Sequence, residues 1–342
     1  MTDFFAKKKI LVTGGTGSIG REIIAQLLKE DVEVVRVLSN DENSLFNMRM
    51  KFDDERLRFL LGDVRDDKRM KTSTRGIDMV FHTAALKHVP IGEYNPFELV
   101  QTNVLGTQNL ISATLEENVE RFLLISSDKA VNPTSTMGAS KLLCEKLVVD
   151  ASAYVGNRRT RLASIRFGNV LDSRGSVLET FRSQIQRDKA VKVTDREMTR
   201  FAFSASQAVS CVLRAMMMMR GGEIFVPKMQ ALRVIDLATV MVEGLSPKFG
   251  MDARQVKVLA TKARPGEKIH EELMTNREAE RAFELDDIYV IPPDTRNITG
   301  YEECPNAEIR DYSSGTVPHM PKDQIAQLLR SVGAFSTDDY CD

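Results

Sequence analysis

The sequence predicts an α/β chain built on a doubly wound parallel sheet, with a smaller mixed α/β lobe after it. Three observations carry that reading. Short apolar runs alternate with amphipathic stretches through the first half of the chain. The first run ends in a glycine-rich turn that opens a helix. After about residue 170 the alternation gives way to mixed segments.

The elements follow in order. Ile10-Leu11-Val12 is a short β-leaning run ending at glycine, the pattern of a buried strand. From residue 18 to 29, Ile19, Ile23, Ile24, Leu27 and Leu28 recur at helical spacing. Residues 32–38 form the next strand and close a βαβ unit of roughly 30 residues. Arg58-Phe59-Leu60-Leu61 is a third strand, ending at Gly62-Asp63. Residues 78–82, 121–126 and 162–167 give three more, with a helical pattern over 96–117 between them. Later helices fall near 204–220 and 234–245, and Met216-Met217-Met218-Met219 in the first reads as flexible core filling. Residues 311–320 read as an irregular surface stretch. A length of 342 residues suits about two domains. We place one at 1–170, its sheet completed by later segments, a substrate lobe at 171–300 and a C-terminal extension at 301–342.

Composition removes several functional classes. The net charge is −1, so a strongly basic nucleic-acid or membrane-surface protein is excluded, though a local basic pocket is not. No window approaches the ~18 uninterrupted apolar residues of a membrane span. The apolar run at the N-terminus is broken by Gly14-Gly15, too early for a signal peptide. Cys144, Cys211, Cys304 and Cys341 are far apart, and His82, His88, His270 and His319 form no HxxxH. The expectation is a cytoplasmic protein without disulfide framework or bound metal.

Thr13-Gly14-Gly15-Thr16-Gly17-Ser18-Ile19-Gly20 contains Gly14-x-x-Gly17-x-x-Gly20 between a strand and a helix. Glycines there allow a tight turn and close backbone approach, and the helix N-terminus favours an anion. This is a Rossmann dinucleotide cradle, and its spacing resembles the extended short-chain dehydrogenase/reductase superfamily. An acid at the tip of the second strand would favour NAD. Ser39 stands there instead, so NADP is favoured with NAD left open, although no neighbouring arginine offers to hold a 2′-phosphate. Asp63 can accept from the adenine amino group.

Ser126-Ser127-Asp128-Lys129 ends the fifth strand, and Met137-Gly138-Ala139-Ser140-Lys141 opens a helix soon after. With Thr83-Ala84-Ala85-Leu86-Lys87-His88-Val89-Pro90, Arg166-Phe167-Gly168-Asn169-Val170, Gly175-Ser176-Val177, residues 193–201 and Arg264-Pro265-Gly266-Glu267-Lys268, these tracts resemble the nucleotide-sugar 4,6-dehydratases of bacterial surface-polysaccharide synthesis. The resemblance covers roughly residues 7–292. Such enzymes act on UDP-N-acetylglucosamine. They oxidise the sugar at C4, eliminate water across C5–C6 and return the hydride to C6. The resemblance implies Asp128 as the acid at O6 and Lys129 as the base at C5. A lysine base requires a lowered pKa, expected here from a dry pocket near Lys141 and Lys87.

The superfamily's Tyr-x-x-x-Lys is here Met137-x-x-x-Lys141, and methionine cannot take the C4 hydroxyl proton. Ser127, relaying that proton to Asp128, is the nearest replacement. Lys141 would bind the nicotinamide ribose hydroxyls. The cofactor set implied by motif and resemblance is Gly14, Thr16, Gly17, Ser18, Ile19, Gly20, Ser39, Asn40, Asp63, Val64, Ala84, Ala85, Lys87, Asn103 and Lys141, Asn103 supporting the active-site backbone. The sugar-nucleotide set is Lys87, Asn169, Val177, Arg200, Arg264 and Glu267. Arginines suit the diphosphate because their fork matches two oxygens, Asn169 can donate to it, and Glu267 can accept the uridine ribose hydroxyls. His88 reads as a structural hydrogen-bonder. The resemblance also implies a homo-oligomer, dimer or hexamer, and leaves C5 inversion or retention open, with inversion favoured. Two other readings stand beside it: a UDP-sugar 4-epimerase and a non-catalytic NADP-binding regulator.

Overall fold

Alternation of apolar side chains along each strand decides how the chain is layered. The computed structural model describes residues 3–262, 266–293, 300–301 and 303–336. It opens with β1 (Lys9–Thr13), α1 (Ser18–Leu27), β2 (Val34–Ser39), α2 (Glu42–Lys51), β3 (Leu57–Leu61), α3 (Asp67–Thr74) and β4 (Met79–His82). Next come α4 (Val89–Tyr94), α5 (Pro96–Leu99), α6 (Gly106–Glu116), β5 (Arg121–Ile125), α7 (Thr136–Ala153) and β6 (Arg161–Ile165). They are followed by β7 (Asn169–Val170), α8 (Val177–Asp188), β8 (Ala190–Val193), β9 (Thr199–Phe203), α9 (Ala205–Met218), β10 (Ile224–Pro227), β11 (Ala231–Arg233) and α10 (Val234–Leu245). The last are β12 (Lys257–Ala260), α11 (Asn276–Ala279), β13 (Phe283–Glu284), β14 (Ile288–Ile291) and α12 (Lys322–Ser331).

The main sheet runs β13-β14-β10-β6-β5-β4-β1-β2-β3. Every pairing from β3 across to β10 is parallel, and β14 and β13 add antiparallel strands at the far edge. The order β3-β2-β1-β4-β5-β6 is that of a doubly wound Rossmann sheet, as the sequence predicts. Its direction of winding reverses between β1 and β4, which opens a crevice at the carboxyl ends of the strands. In β1, Ile10 and Val12 join the core formed with Ile23, Ile24 and Leu27 of α1 and Val209 and Val212 of α9. Leu11 joins the opposite core with Leu110 and Ile111 of α6 and Val148 of α7. Both faces are therefore covered, as parallel sheets require, and exposing any one of these side chains would cost roughly 1.5–3 kcal/mol.

Chain beyond residue 170 contributes β10, β13 and β14 to this sheet and α9 to its cover. It also builds a separate core, in which Leu178, Phe181 and Ile185 of α8 meet Leu237 and Met241 of α10 and Ile325 and Leu329 of α12. Sheets β11-β9-β7 and β12-β8 belong to this region too, except that β7 is formed by the two residues just before it. Met216 and Met219 are fully buried, the core-filling role that the methionine run suggests.

Two expectations change. The helical pattern over 96–117 is not one helix, because the backbone widens into a π-helical turn at Val100–Leu105 between α5 and α6. That turn carries Asn103, which is 1% exposed and hydrogen-bonded inside. Residues 311–320 are irregular but not superficial. Tyr312 is 3% exposed, its hydroxyl accepting from Met229 N at 2.6 Å and donating to Pro227 O at 3.1 Å. Polar neighbours hide this anchor from any periodicity argument.

Candidate active site

The turn after β1 is shaped by what it excludes. Gly14 has φ +64°, and a Cβ there would lie 2.7 Å from the backbone of Ala84. A Cβ on Gly20 would lie 2.5 Å from Gly14 O. Only glycine fits either position. Gly17 caps α1 without a side-chain bond, so the helix offers its amides to whatever lies in front. In front is a cleft of about 790 Å³ lined by Gly14, Thr16, Gly17, Ser18, Ile19 and Gly20. Ser39, Asn40, Asp63, Val64, Ala84, Ala85 and Lys87 line the same cleft. A close-packed glycine turn and an uncapped helix end suit the pyrophosphate of a dinucleotide.

At the ribose edge, Ser39 Oγ lies 2.9 Å from Thr16 Oγ1. Asn40 Nδ2 donates to Asp63 at 3.3 Å. Burial pushes the Asp63 carboxyl up, but the hydrogen bonds and charge of Arg65 outweigh it and hold it below the usual range. Arg174, from the loop between β7 and α8, crosses to this edge. Its backbone N–H donates to Ser18 Oγ at 2.9 Å and its guanidinium to Thr16 O at 2.6 Å. Lys87 Nζ donates to Arg174 O at 2.8 Å. The cation that the local sequence around Ser39 lacks is thus brought in from a distant loop.

At the end of β5, Ser127 Oγ donates to Asp128 Oδ1 at 2.6 Å, and Lys129 Nζ donates to the same oxygen at 3.0 Å. Asp128 is fully buried, and its Oδ2 has no hydrogen-bond partner among the described residues. On the other side of the lysine, Glu271 Oε1 lies 3.4 Å from Nζ. Burial lowers the Lys129 pKa, but the carboxylates of Asp128 and Glu271 outweigh it and leave it raised. The lowered value expected from the sequence is therefore corrected. The two cations invoked for it are engaged elsewhere, Lys141 Nζ on Ile125 O at 2.9 Å and Lys87 on Arg174 O.

Met137 is buried and lines the cleft one helical turn before Lys141. Burial lowers the Lys141 pKa from its ordinary value. Asn103 clamps the strand-end loop, accepting from Leu86 N at 2.8 Å while donating to Leu86 O at 3.1 Å and Ser140 Oγ at 2.9 Å. On the opposite wall, α8 begins at Val177, and its cap Ser176 makes no side-chain bond among the described residues. Asn169 Oδ1 is buried without a partner among the described residues, and Asn169, Ser176 and Val177 all line the cleft. Arg200 donates to Thr199 O and Ile269 O, 2.7 and 3.1 Å away, and lies 3.7 Å from Glu267 and 3.8 Å from Glu271. Arg264 lies outside the described residues.

Residues 10–293 match the family described as polysaccharide biosynthesis protein. The chain belongs to that family. It is 45% identical over 332 residues to an uncharacterized membrane protein of Methanocaldococcus jannaschii, covering 97% of this chain and 98% of that one. It is 40% identical to the inverting UDP-N-acetylglucosamine 4,6-dehydratase of Campylobacter jejuni, over 84% of each chain. It is 36% identical to the UDP-glucose 4-epimerase of Rickettsia felis, over 95% of this chain and 96% of that one. The solved structure of Pen from Bacillus thuringiensis superposes with a TM-score of 0.92 at 38% identity, covering 97% of this chain and all of that one. No helix among the described residues is long and apolar enough to cross a membrane.

Three features of this family member lie beyond what its sequence discloses. Glu271 is one of three glutamates between 267 and 272, and burial alone singles it out. Arg174 reaches the cradle through tertiary folding, its only sequence signal being the adjoining Gly175-Ser176-Val177 tract. Arg166 binds Glu145 through two bonds of 2.7 and 2.8 Å and Glu278 through two of 2.8 and 3.0 Å. Glu145 also accepts from Ser126 Oγ at 2.6 Å, which ties this largely buried triad to the strand end that carries Ser127.

Proposed function

We propose that the protein is a UDP-N-acetylglucosamine 4,6-dehydratase working with bound NADP. The observation that carries this reading is that two uncapped helix N-termini, of α1 and α8, open on the one cleft that Ser127 and Lys129 line. Each favours an anion. The α1 end suits the pyrophosphate of the dinucleotide. The α8 end, with the unpartnered Asn169, suits the diphosphate of a sugar nucleotide. The Campylobacter relative supports the choice of sugar and inversion at C5. Arg174 on Thr16, whose hydroxyl bonds Ser39, supports NADP over NAD. Lys141 would take the nicotinamide ribose hydroxyls, and Arg200 would leave Glu267 for the diphosphate, freeing Glu267 for the uridine ribose.

A nicotinamide held by the α1 cradle and Lys141 would supply the hydride chemistry between C4 and C6 of the sugar. Ser127 passes the O4 proton to Asp128, 2.6 Å away, where methionine at position 137 can do nothing. Asp128 thereby acquires the proton that the departing 6-hydroxyl requires, and Lys129 removes the proton at C5. The two groups have opposite protonation needs, and the relay charges the acid just before the elimination. The test is product mass after incubation with UDP-N-acetylglucosamine: loss of one water is expected. A 4-epimerase, the activity named for the Rickettsia relative, is the second reading. It would leave the mass unchanged and has no use for an acid at O6.

A further inference from the structure

We infer that Glu271 is a proton depot for Lys129, keeping the lysine an ammonium at rest and taking its proton as the lysine turns base. The inference rests on the dehydratase reading. Glu271 is 3% exposed, its Oε1 lies 3.4 Å from Lys129 Nζ, and its Oε2 has no partner among the described residues. A buried carboxylate with one bare oxygen has unused capacity to hold a proton. The charged groups facing the lysine are Asp128 from the end of β5, Glu271 from the segment before α11, and Arg200 from β9. Arg200 also faces Glu271 at 3.8 Å and Glu267 at 3.7 Å. Drawing that guanidinium toward a diphosphate would strip Glu271 of its cation and raise its appetite for a proton.

The proton count closes. A proton moves from Lys129 Nζ to Glu271, breaking one N–H bond and forming one O–H bond, and no charge leaves the pair. Lys129 takes the C5 proton. The O4 proton, held on Asp128, leaves with the 6-hydroxyl as water. Lys129 then returns a proton to C5, and Glu271 hands its stored proton back. Glu271 acts through Lys129, so it is a positioning residue.

The test is the pH profile of dehydration for wild type, Glu271→Gln and Glu271→Asp. Wild type is expected to be flat around neutrality, because the proton never has to reach solvent. Glu271→Gln should be roughly 10²-fold slower at neutral pH, the low end of what a positioned proton-transfer group supplies. Its rate should climb toward wild type as pH rises, because the lysine must now discharge to water. Glu271→Asp should restore the flat profile. A loss in the Gln variant that is uniform across pH, no loss at all, or an Asp variant as pH-dependent as Gln would overturn the inference. A second readout needs no turnover: acylation of the Lys129 amine against pH, followed by peptide mass. Its midpoint should fall in Glu271→Gln, and an unchanged midpoint would overturn the inference. If wild type releases no water, the dehydratase reading fails, while the acylation midpoint still decides whether Glu271 governs Lys129.

Discussion

At the scale of single residues, the chemistry turns on which oxygen holds which proton. Ser127 donates to Asp128, so the hydrogen bond that the proposed relay needs is already in place. Ser127→Ala should lower turnover roughly 10²- to 10⁴-fold, as expected for a positioned proton-transfer group, while leaving nicotinamide binding intact by fluorescence titration. Equal losses in binding and turnover would show a structural defect instead. Arg174→Met should weaken NADP but not NAD. A hydrogen bond to a charged group contributes about 1.5–3 kcal/mol, so paired titrations of the two dinucleotides give the answer directly. Most of this site is legible in the sequence because Asp128, Lys129 and Lys141 lie within one strand-end segment and the helix after it. Glu271 and Arg174 are not, because only folding brings them to Lys129 and Thr16. The pKa direction of Lys129 follows only in part from sequence: Asp128 is its larger counter-charge, and Glu271, which adds to it, is brought there by folding.

Elements set the site's rigidity. The π-helical turn at Val100–Leu105 departs from a regular helix just where Asn103 must bond both backbone groups of Leu86. Periodicity predicts a helix there and is silent about the widened turn, which is a tertiary demand on one side chain. His82, at the end of β4, bridges Thr13 Oγ1 at 2.7 Å and Thr107 Oγ1 at 2.9 Å, linking β1 to α6. Burial first, then the charge of Lys141, pushes its pKa from 6.5 to about 3. Below about 6.5 the unfolded chain takes up a proton that the folded chain refuses down to about 3. Stability should therefore fall as pH drops through that window, by up to about 1.4 kcal/mol per unit. Urea titrations between those limits should show a shallower pH slope in His82→Gln than in wild type. Equal slopes would remove His82 from the explanation.

Across the whole molecule, the Arg166–Glu145–Glu278 triad joins the end of β6, the middle of α7 and α11. Breaking a buried pair leaves an uncompensated charge and costs roughly 3–5 kcal/mol. Glu145→Gln should lower the urea midpoint accordingly, and an unchanged midpoint would mean that the triad relaxes freely. The doubly wound order is legible because β1 to β6 follow one another with helices between. That later segments complete the sheet is expected, but which strands return is not legible, because pairing β10 with β6 joins strands separated by the β7–β9 region. Together these layers bring two helix N-termini, the hydrogen-bonded Ser127 and the half-buried Lys129 to one cleft, the arrangement on which the proposed transfer of hydride from C4 to C6 with loss of water rests. The most direct measurement of that claim uses UDP-N-acetylglucosamine deuterated at C4, with the product read by NMR. The label is expected in the C6 methyl group of a 4-keto-6-deoxy sugar. Label returned to C4 of a sugar that has kept its 6-hydroxyl would contradict it.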